Sequence, residues 1–454
     1  MRLSQEELYG YSGLSREILT KAGAQTSDMI RLELKRGATR EVVEGLLMPR
    51  YHTTKEENNY IVLKLKTGYN VGVRVDASTK VTVVGKGEAP HFTRPPIPAQ
   101  KTGLPKVSIV STGGTIASKV DYRTGAVKPA LDAEDLYSVV PELADIADIK
   151  AKVLFSIFSE NIGPQHWPKI AESVAEQVRE GADGVVIAHG TDTLGYTAAA
   201  LSFALQGIPI PVILVGSQRS SDRPSSDAAS NLIAATTIAG QAPFAEVVVA
   251  MHDWVSDERV AVHRGTRVRK CHTSRRDAFR SVNSNPIAYY DLIKRLIELS
   301  GEKLTERHKR SEWKVRAQFD PNVALIKFHP GISVGMIDWA TATGYKGIVL
   351  EGTGLGHVGD AFFSSIERAV KDGIVVAMSS QCIWGRVHMN VYSTGRDLLK
   401  LGVQPLGDML AETALVKMMW AFGQEKDPAK VREIMTTNIA NEISDRRTLE
   451  AVEQ

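Results

Sequence analysis

The chain has 454 residues, more than a single hydrophobic core usually serves, so two or three domains are expected. Its apolar content of 43% is that of an ordinary globular protein, and its net charge of +3 is too small to indicate nucleic-acid binding by itself. The two cysteines, Cys271 and Cys382, exclude a disulfide framework and fit reduced thiols. No apolar run approaches the roughly 18 residues of a membrane span and no signal-peptide pattern is present, which predicts a cytoplasmic protein without a membrane partner.

Residues 1–86 predict an N-terminal extension followed by a small β-domain. A short helix from Ser15 that stops at Gly23 is expected, and the role of residues 1–25 stays open. Five short segments of alternating or apolar character then follow, at 29–34, 42–48, 60–65, 71–75 and 81–84. Five such strands separated by turn residues predict a small β-barrel of SH3-like size.

Residues 87–105 contain five prolines, which predicts an extended and stiff linker between domains. Beyond it, apolar strands and helical stretches alternate, a pattern typical of βαβ units in a mainly parallel sheet. A strand is expected near residues 152–157 and a helix from Pro164 to Glu180. Residues 106–293 therefore form a predicted first lobe and residues 321–454 a second. Between them, residues 294–320 are rich in lysine and arginine and are predicted to be a basic interlobe linker.

The stretch from Lys106 to Ala117 is a buried strand that runs directly into two glycines and a threonine. Gly113 and Gly114 allow positive φ or a close approach of a ligand to the backbone. Thr115 then places a hydroxyl at the carboxyl end of a strand, where open α/β folds bind their ligands. Taken alone, the same pattern also fits a helix capped by a hydroxyl.

A second strand, at residues 184–188, ends in the same way and is followed by Thr191 and Asp192. Asp192 has the alternative interpretation of a helix cap. Lys270 lies in a basic run, where it could be one more surface cation. His189, immediately before the second turn, is interpreted as a packed core histidine rather than a catalytic base. The acidic and histidine residues show no metal-ligand spacing, so no metal is predicted.

These motifs resemble the bacterial-type asparaginase and glutaminase family. The matching features are Thr-Gly-Gly-Thr-Ile, His-Gly-Thr-Asp-Thr and a lysine nine residues before a phenylalanine, in this order, and they cover roughly residues 105–440. The resemblance implies an α/β protein with an asparaginase-like, two-lobed parallel-sheet core behind the small barrel. It further implies a threonine nucleophile with residues that transfer its proton, and residues that hold the substrate. The implied catalytic residues are Thr115, Thr191, Asp192 and Lys270; the implied substrate-binding residues are Tyr122, Ser159 and Glu160.

A hydroxyl is a weak nucleophile at neutral pH until another group removes its proton. A lysine that is withdrawn from water and oriented by a carboxylate could do so, with Tyr122 as the alternative relay. The sequence leaves open which residue takes the first proton. Two positions depart from the family pattern: Glu160 stands where glutamine is usual, and His357 stands where asparaginases often present an asparagine to the neighbouring subunit's site.

The barrel and proline-rich linker in front of the core resemble one branch of this family, the D subunits of the archaeal glutamyl-tRNA(Gln) amidotransferases. That resemblance implies release of ammonia from glutamine or asparagine and its delivery to the partner E subunit, which amidates Glu-tRNA(Gln). It implies no cofactor in this chain, with ATP and Mg²⁺ on the partner, and a homodimer within a heterotetramer. The alternatives are a stand-alone cytosolic L-asparaginase and a binding protein with an inactive site. Five polar groups retained at the site positions argue against the second.

Overall fold

The structure is a computed structural model that describes residues 8, 10–36, 39–49, 59–65, 70–86, 102–113, 116, 118–121, 126–129, 136–137, 140–219, 226–308 and 313–445. The chain divides into two compact units. The first comprises Met1–Ile97, Ala117–Ala130 and Arg219–Ser226. The second comprises Pro98–Ile116, Leu131–Gln218 and Asp227–Gln454.

The first unit contains helix α1 (Gly13–Lys21) and a five-stranded antiparallel sheet. Its strands are β1 (Met29–Arg36), β2 (Thr39–Leu47), β3 (Tyr60–Lys64), β4 (Asn70–Arg74) and β5 (Lys80–Gly85). They lie in the order β4-β3-β2-β1-β5, and all five coincide with predicted strands. Ile30, Leu32 and Leu34 are buried at every second position of β1, which gives the sheet one apolar face. Closure of this sheet into an SH3-like barrel stays a prediction.

The first unit also contains a hairpin of β7 (Ser118–Asp121) and β8 (Ala126–Pro129). The second unit is built on two larger sheets. The first sheet has the strand order β17-β16-β13-β12-β11-β10-β6-β9. The five strands from β12 to β9 in this order are mutually parallel, while β13, β16 and β17 are joined by antiparallel pairing. These strands are β6 (Lys106–Ser111), β9 (Asp148–Val153), β10 (Gly184–Ala188), β11 (Val212–Val215), β12 (Val247–His252), β13 (Arg259–Arg264), β16 (Ala288–Asp291) and β17 (Leu296–Leu299). A separate hairpin pairs β14 (Val268–Lys270) with β15 (Phe279–Ser281).

Three helices connect the parallel strands of the first sheet: α2 (Trp167–Arg179), α3 (Leu194–Ala204) and α4 (Ala228–Gln241). The second sheet is fully parallel, in the order β18 (Val323–Lys327), β19 (Gly347–Gly352), β20 (Val375–Ser380) and β21 (Gln404–Pro405). Its helices are α5 (Gly335–Ala342), α6 (Phe363–Lys371), α7 (Ser393–Lys400), α8 (Ala411–Gln424) and α9 (Pro428–Thr436). The α/β class and the asparaginase-like layout of the core are confirmed.

One apolar core is shared by both sheets of the second unit. Helix α3 is apolar on all sides and buried, and Phe203 on it stacks on Trp420 of α8 with ring centroids 5.7 Å apart. A helix that is apolar all round is typical of a position between two layers. The two lobes are therefore joined by packing as well as by the chain.

Three segments differ from the sequence prediction. A helix is expected from Pro164, but α2 begins at Trp167, because the His166 ring accepts a hydrogen bond from the Gly163 amide and Pro168 suits the first helical turn. The strand expected near 152–157 is β9 at Asp148–Val153, in register with β6. Residues 296–299, predicted to belong to the linker, form edge strand β17, on which Leu296 and Leu299 are exposed.

Candidate active site

The candidate site lies at the carboxyl edge of the first sheet, where β6, β10 and β11 end side by side. Parallel strands bring their following turns together at this edge, which is where open α/β sheets bind ligands. Two glycines allow the turns to come this close. Gly113 has φ +117° and a Cβ there would lie 2.2 Å from the Ile157 carbonyl oxygen; a Cβ on Gly216 would lie 2.8 Å from Thr191 Cγ2. Larger residues would force the turns apart.

His189 supports the turn that follows β10. Its Nδ1 donates to the Gly190 carbonyl oxygen at 2.7 Å, and Thr197 Oγ1 donates to its Nε2 at 2.9 Å. The carbonyl oxygen can only accept, which places a proton on Nδ1, and the Thr197 hydroxyl donates to Nε2 when the ring is neutral. Complete burial lowers the pKa of His189 to about 4, in agreement with that form. His189 is thus a hydrogen-bonded core histidine, as the sequence indicates.

Thr191, Asp192 and Lys270 meet in the structure, although Lys270 lies on the β14–β15 hairpin, 79 residues after Thr191 in the chain. Lys270 Nζ donates to Thr191 Oγ1 at 2.9 Å and to Asp192 Oδ1 at 2.7 Å. The Lys270 side chain is only 16% exposed, so it is not the surface cation of the alternative interpretation, whereas Asp192 is 66% exposed. The result is a lysine amine held between a hydroxyl and a carboxylate, an arrangement that can carry a proton between groups.

Ser159 and Glu160 lie in a short 3-10 turn beside the same edge. Thr193 Oγ1 donates to the Ser159 carbonyl oxygen at 2.5 Å, and a Cβ on Gly190 would lie 2.8 Å from Ser159 Oγ. Ser159 is buried and Glu160 is exposed. The structure therefore brings Ser159 against the turn that carries Thr191 and Asp192, with Glu160 next to Ser159 in the chain. Thr115 and Tyr122 lie outside the described residues, so their roles stay predictions.

The sequence motifs do not show which arginines of the basic run before Lys270 are buried. Arg264 and Arg267 are buried in ion pairs with Glu246 and Asp408, not on the surface. The available signal in the sequence is the density of arginines before Lys270, and density alone does not identify acidic partners.

His357, the second departure from the family pattern, lies in the second lobe. Its Nδ1 is 3.2 Å from Thr394 Oγ1, and its ring meets the Tyr392 ring edge-on with centroids 5.5 Å apart. These contacts hold the imidazole within its own lobe.

Over the described ranges, no group of three or more histidine, cysteine, aspartate or glutamate residues could hold a metal ion. In the same part of the chain, no helix is both long and apolar enough to span a bilayer. Cys271 and Cys382 are free and exposed thiols.

Three family models match the chain and together account for most of it. Residues 106–302 match "Asparaginase, N-terminal", residues 322–435 match "Glutaminase/Asparaginase C-terminal domain", and residues 24–84 match "GatD N-terminal domain". Among solved structures, the thermostable L-asparaginase from Thermococcus kodakarensis is 35% identical with a TM-score of 0.64, covering 75% of this chain and all of that one. The fold and the threonine–aspartate–lysine cluster thus define an asparaginase-type amidohydrolase.

Full-length relatives define the family more narrowly. The glutamyl-tRNA(Gln) amidotransferase D subunit of Methanopyrus kandleri is 51% identical over 97% of this chain and 96% of its own length. The protein of the same name from Thermofilum pendens is 48% identical over 96% of this chain and 97% of its own. The chain belongs to the family of glutamyl-tRNA(Gln) amidotransferase D subunits, the GatD family, which confirms the resemblance in the sequence.

Proposed function

We propose that this chain hydrolyses the side-chain amide of glutamine, and of asparagine as a second substrate, to supply ammonia for conversion of Glu-tRNA(Gln) into Gln-tRNA(Gln). One observation carries the proposal: the Lys270 amine contacts both the Thr191 hydroxyl and the Asp192 carboxylate, at 2.9 and 2.7 Å. Membership of the GatD family supports the choice of reaction. Such a cluster meets the need of amide hydrolysis for a route by which a proton leaves a hydroxyl nucleophile.

In the proposed mechanism, Thr115 Oγ attacks the carboxamide carbon and its proton passes through Lys270, or through Tyr122, to the leaving nitrogen. The C–N bond breaks, ammonia departs, and an ester to Thr115 remains. Water then hydrolyses this ester to release glutamate and restore the hydroxyl. Asp192 and Thr191 keep the Lys270 amine oriented through both steps, a role typical of the group that supports a catalytic base.

Ser159 and Glu160 are proposed to bind the α-amino and α-carboxylate groups of the substrate. Their support is position: both lie beside the turn that carries Thr191, and the exposed Glu160 carboxylate has the charge to attract an ammonium group. A buried hydroxyl such as that of Ser159 is suited to the carboxylate end. The proposed steps use side chains of this chain and water, without a metal or cofactor.

The ammonia is proposed to pass to the partner E subunit of the amidotransferase, which uses ATP and Mg²⁺ to activate and amidate Glu-tRNA(Gln). The chain would act as a homodimer within a cytoplasmic heterotetramer. The segment matched as "GatD N-terminal domain" supports this assembly, because a complete L-asparaginase structure corresponds to only 75% of the chain. A stand-alone asparaginase is for that reason the less favoured function.

The nucleophile is tested by Thr115→Val, which removes the hydroxyl at nearly constant volume. Ammonia release from glutamine should fall below a few per cent of the wild-type rate while the melting temperature changes little. Thr237→Val is the matched control, since Thr237 is a buried threonine on α4 whose hydroxyl donates back to the Ile233 carbonyl oxygen. If Thr115→Val kept as much activity as Thr237→Val, Thr115 could not be the nucleophile.

Coupling to a partner is tested by measuring glutamine hydrolysis with and without the E subunit and Glu-tRNA(Gln). An enzyme that feeds ammonia to a partner should be slow alone and faster in the complex, because only a partner that binds one state better can shift the population of states. The isolated chain is therefore expected to be activated when both are added. Fast hydrolysis that both additions leave unchanged would favour the stand-alone asparaginase.

A further inference from the structure

The hairpin that carries Lys270, residues 268–281 and here called the Lys270 hairpin, is held at its base by a buried arginine. Arg267 directly precedes β14 and is 2% exposed. Its guanidinium donates to Asp408 Oδ2 at 2.9 Å, to the Asn441 carbonyl oxygen at 2.8 Å and to Ser444 Oγ at 2.7 Å. All three acceptors belong to the second lobe or to the segment that follows α9. A planar guanidinium with three fixed acceptors allows little rotation.

The chain that leaves the Lys270 hairpin after β15 also contacts Asp408 in the second lobe. Asn283, two residues after β15, donates to the carbonyl oxygens of Asp408 and Gly385, both at 3.0 Å. The Asp408 carboxylate in turn accepts from the Ser444 amide at 2.9 Å. Asp408 therefore contacts both ends of the hairpin through its side chain and its carbonyl group.

The strand between Arg267 and Lys270 is short enough to transmit this constraint. Strand β14 has only three residues, which at about 3.3 Å per residue sets the backbone of Lys270 roughly 10 Å from that of Arg267. Arg269 is a third residue that contacts the second lobe, through an ion pair with Glu412 on α8 at 3.3 Å. A small rotation at the base of the hairpin would move the amine away from Thr191 and Asp192, which lie on the first lobe.

We infer that Arg267 and Asp408 are positioning residues that hold Lys270 within reach of Thr191 and Asp192. The second lobe thereby sets the geometry of a site whose residues lie on the first lobe. This inference rests on the proposed role of Lys270 in proton transfer. It predicts that the ion pair between Arg267 and Asp408 governs turnover rather than substrate binding, since a misplacement of about 1 Å can cost 10²-fold in rate.

The chain offers a matched pair of carboxylates for the test. The Asp408 carboxylate accepts hydrogen bonds from Arg267 and from the Ser444 amide. The Glu246 carboxylate does the same elsewhere in the chain: it accepts from Arg264 at 2.9 Å and from the Thr305 amide at 2.8 Å. Asp408→Asn and Glu246→Gln each remove one charge and keep the shape of the side chain. We expect both to lower the melting temperature, but only Asp408→Asn to lower kcat for glutamine, by about tenfold to a hundredfold, with KM within about twofold.

A double variant separates positioning from general damage. In the Lys270→Met background, Asp408→Asn should change the residual rate by less than about twofold, because residues that act through one group are not additive. Ser444→Ala, which removes one acceptor and leaves the ion pair, is expected to lower kcat less than Asp408→Asn. An unchanged kcat in Asp408→Asn, an equal fall in Glu246→Gln, or an additive loss in the double variant would overturn the inference. An unchanged rate in Lys270→Met alone would instead refute the proposed role of Lys270.

Discussion

The turn formed by residues 189–193, here called the Thr191 turn, and the Lys270 hairpin supply the same site but are held in different ways. The Thr191 turn follows a fully buried strand and is supported by His189 and Thr197, all within eight residues. The Lys270 hairpin is held by Asp408, which lies 141 residues from Arg267 in the chain. One half of the site is therefore built by local contacts and the other by distant ones.

This difference predicts how each half responds to substitution. Changes near the Thr191 turn should act on the stability of the first lobe. Changes in the second lobe should reach the chemistry through Lys270, even though they lie far from the substrate.

The largest effect is expected from Lys270→Met, which keeps most of the side-chain volume and removes the amine. Loss of a group that transfers a proton lowers rates by roughly 10²- to 10⁴-fold. Steady-state ammonia release from glutamine should fall by that factor. The Lys270 amine pairs with Asp192, which is largely exposed, so this ion pair contributes little to the free energy of folding. The melting temperature should therefore stay close to that of the wild type.

Lys150→Met is the control for Lys270→Met. Lys150 lies on β9 of the first sheet and pairs with Glu180 at the surface; the distance is 2.5 Å and the Lys150 side chain is 59% exposed. We expect the kcat of Lys150→Met to equal that of the wild type. A parallel loss of activity and stability in Lys270→Met would indicate a structural ion pair in place of a proton-transfer group.

The next effect concerns the segment that Arg267 contacts. Lys417 and Glu442 form an ion pair with both side chains fully buried, at 2.5 Å, and Glu442 also accepts from the amides of Ile439 and Ala440. Lys417→Met would leave the Glu442 charge buried without its partner, and such changes cost about 3–5 kcal/mol. Urea titration should show a loss of this size in the free energy of unfolding.

The double variant Lys417→Met with Glu442→Gln tests the cause. It removes the uncompensated charge, while the carbonyl oxygen of the introduced glutamine can still accept from the two amides. It should recover part of the lost free energy of unfolding. If the double variant is less stable than Lys417→Met alone, burial of an unpaired charge is not the reason for the loss.

A pH dependence is expected from the Thr191 turn. The pKa of His189 falls from 6.5 to about 4 on folding because the ring is buried. Between these values the unfolded chain binds a proton that the folded chain does not, so stability is lost as the pH falls from about 6.5 to about 4 and levels off below. A pKa difference of about 2.5 corresponds to roughly 3 kcal/mol.

The measurement is the free energy of unfolding at pH 7 and at pH 4 for the wild type and His189→Gln. The variant should lose about 3 kcal/mol less than the wild type over this interval. His329→Gln, which changes an exposed histidine, should follow the wild type. An equal pH dependence in all three proteins would show that His189 is not the titrating group.

The parts of the structure that depend on local contacts could be predicted from the sequence, and the parts that depend on distant contacts could not. Strand β10 and the glycine turn after it are recognisable because a buried strand must be apolar and a tight turn needs glycine. The five strands of the N-terminal sheet are recognisable from their period of two. The sequence of strand β17 is predicted to be part of a linker, because the charged residues Lys294, Arg295 and Glu298 lie beside its few apolar residues and leave no pattern typical of a buried strand.

The anchoring of Lys270 could not be predicted in the same way. A buried arginine and a surface arginine have the same local sequence signal, and the partner that decides between them is set by the packing of two lobes. Arg267 meets Asp408, Asn441 and Ser444, all more than 140 residues away. The family resemblance identifies Lys270 as a site residue, but it carries no information on what holds Lys270 in place.

The smallest effect is expected from Thr197→Val, which changes the support of the Thr191 turn at constant shape. Thr197 is fully buried, and its hydroxyl is the donor to His189 Nε2. Valine would leave that nitrogen buried without a donor, which costs about 1–2 kcal/mol of the free energy of unfolding. The bond from His189 Nδ1 to the Gly190 carbonyl oxygen remains, so the turn should keep its form and kcat should stay within about threefold of the wild type.

Thr237→Val provides the reference for Thr197→Val, because the Ile233 carbonyl oxygen that it releases keeps its helical hydrogen bond. We expect Thr237→Val to lower the free energy of unfolding by less than Thr197→Val does, by about 0.5 kcal/mol, the low end of the net contribution of an intramolecular hydrogen bond. If Thr197→Val lowered kcat as much as Asp408→Asn does, the Thr191 turn would depend on its support as strongly as the Lys270 hairpin depends on Arg267. The two halves of the site would then be held alike, and the distinction between local and distant support would fail.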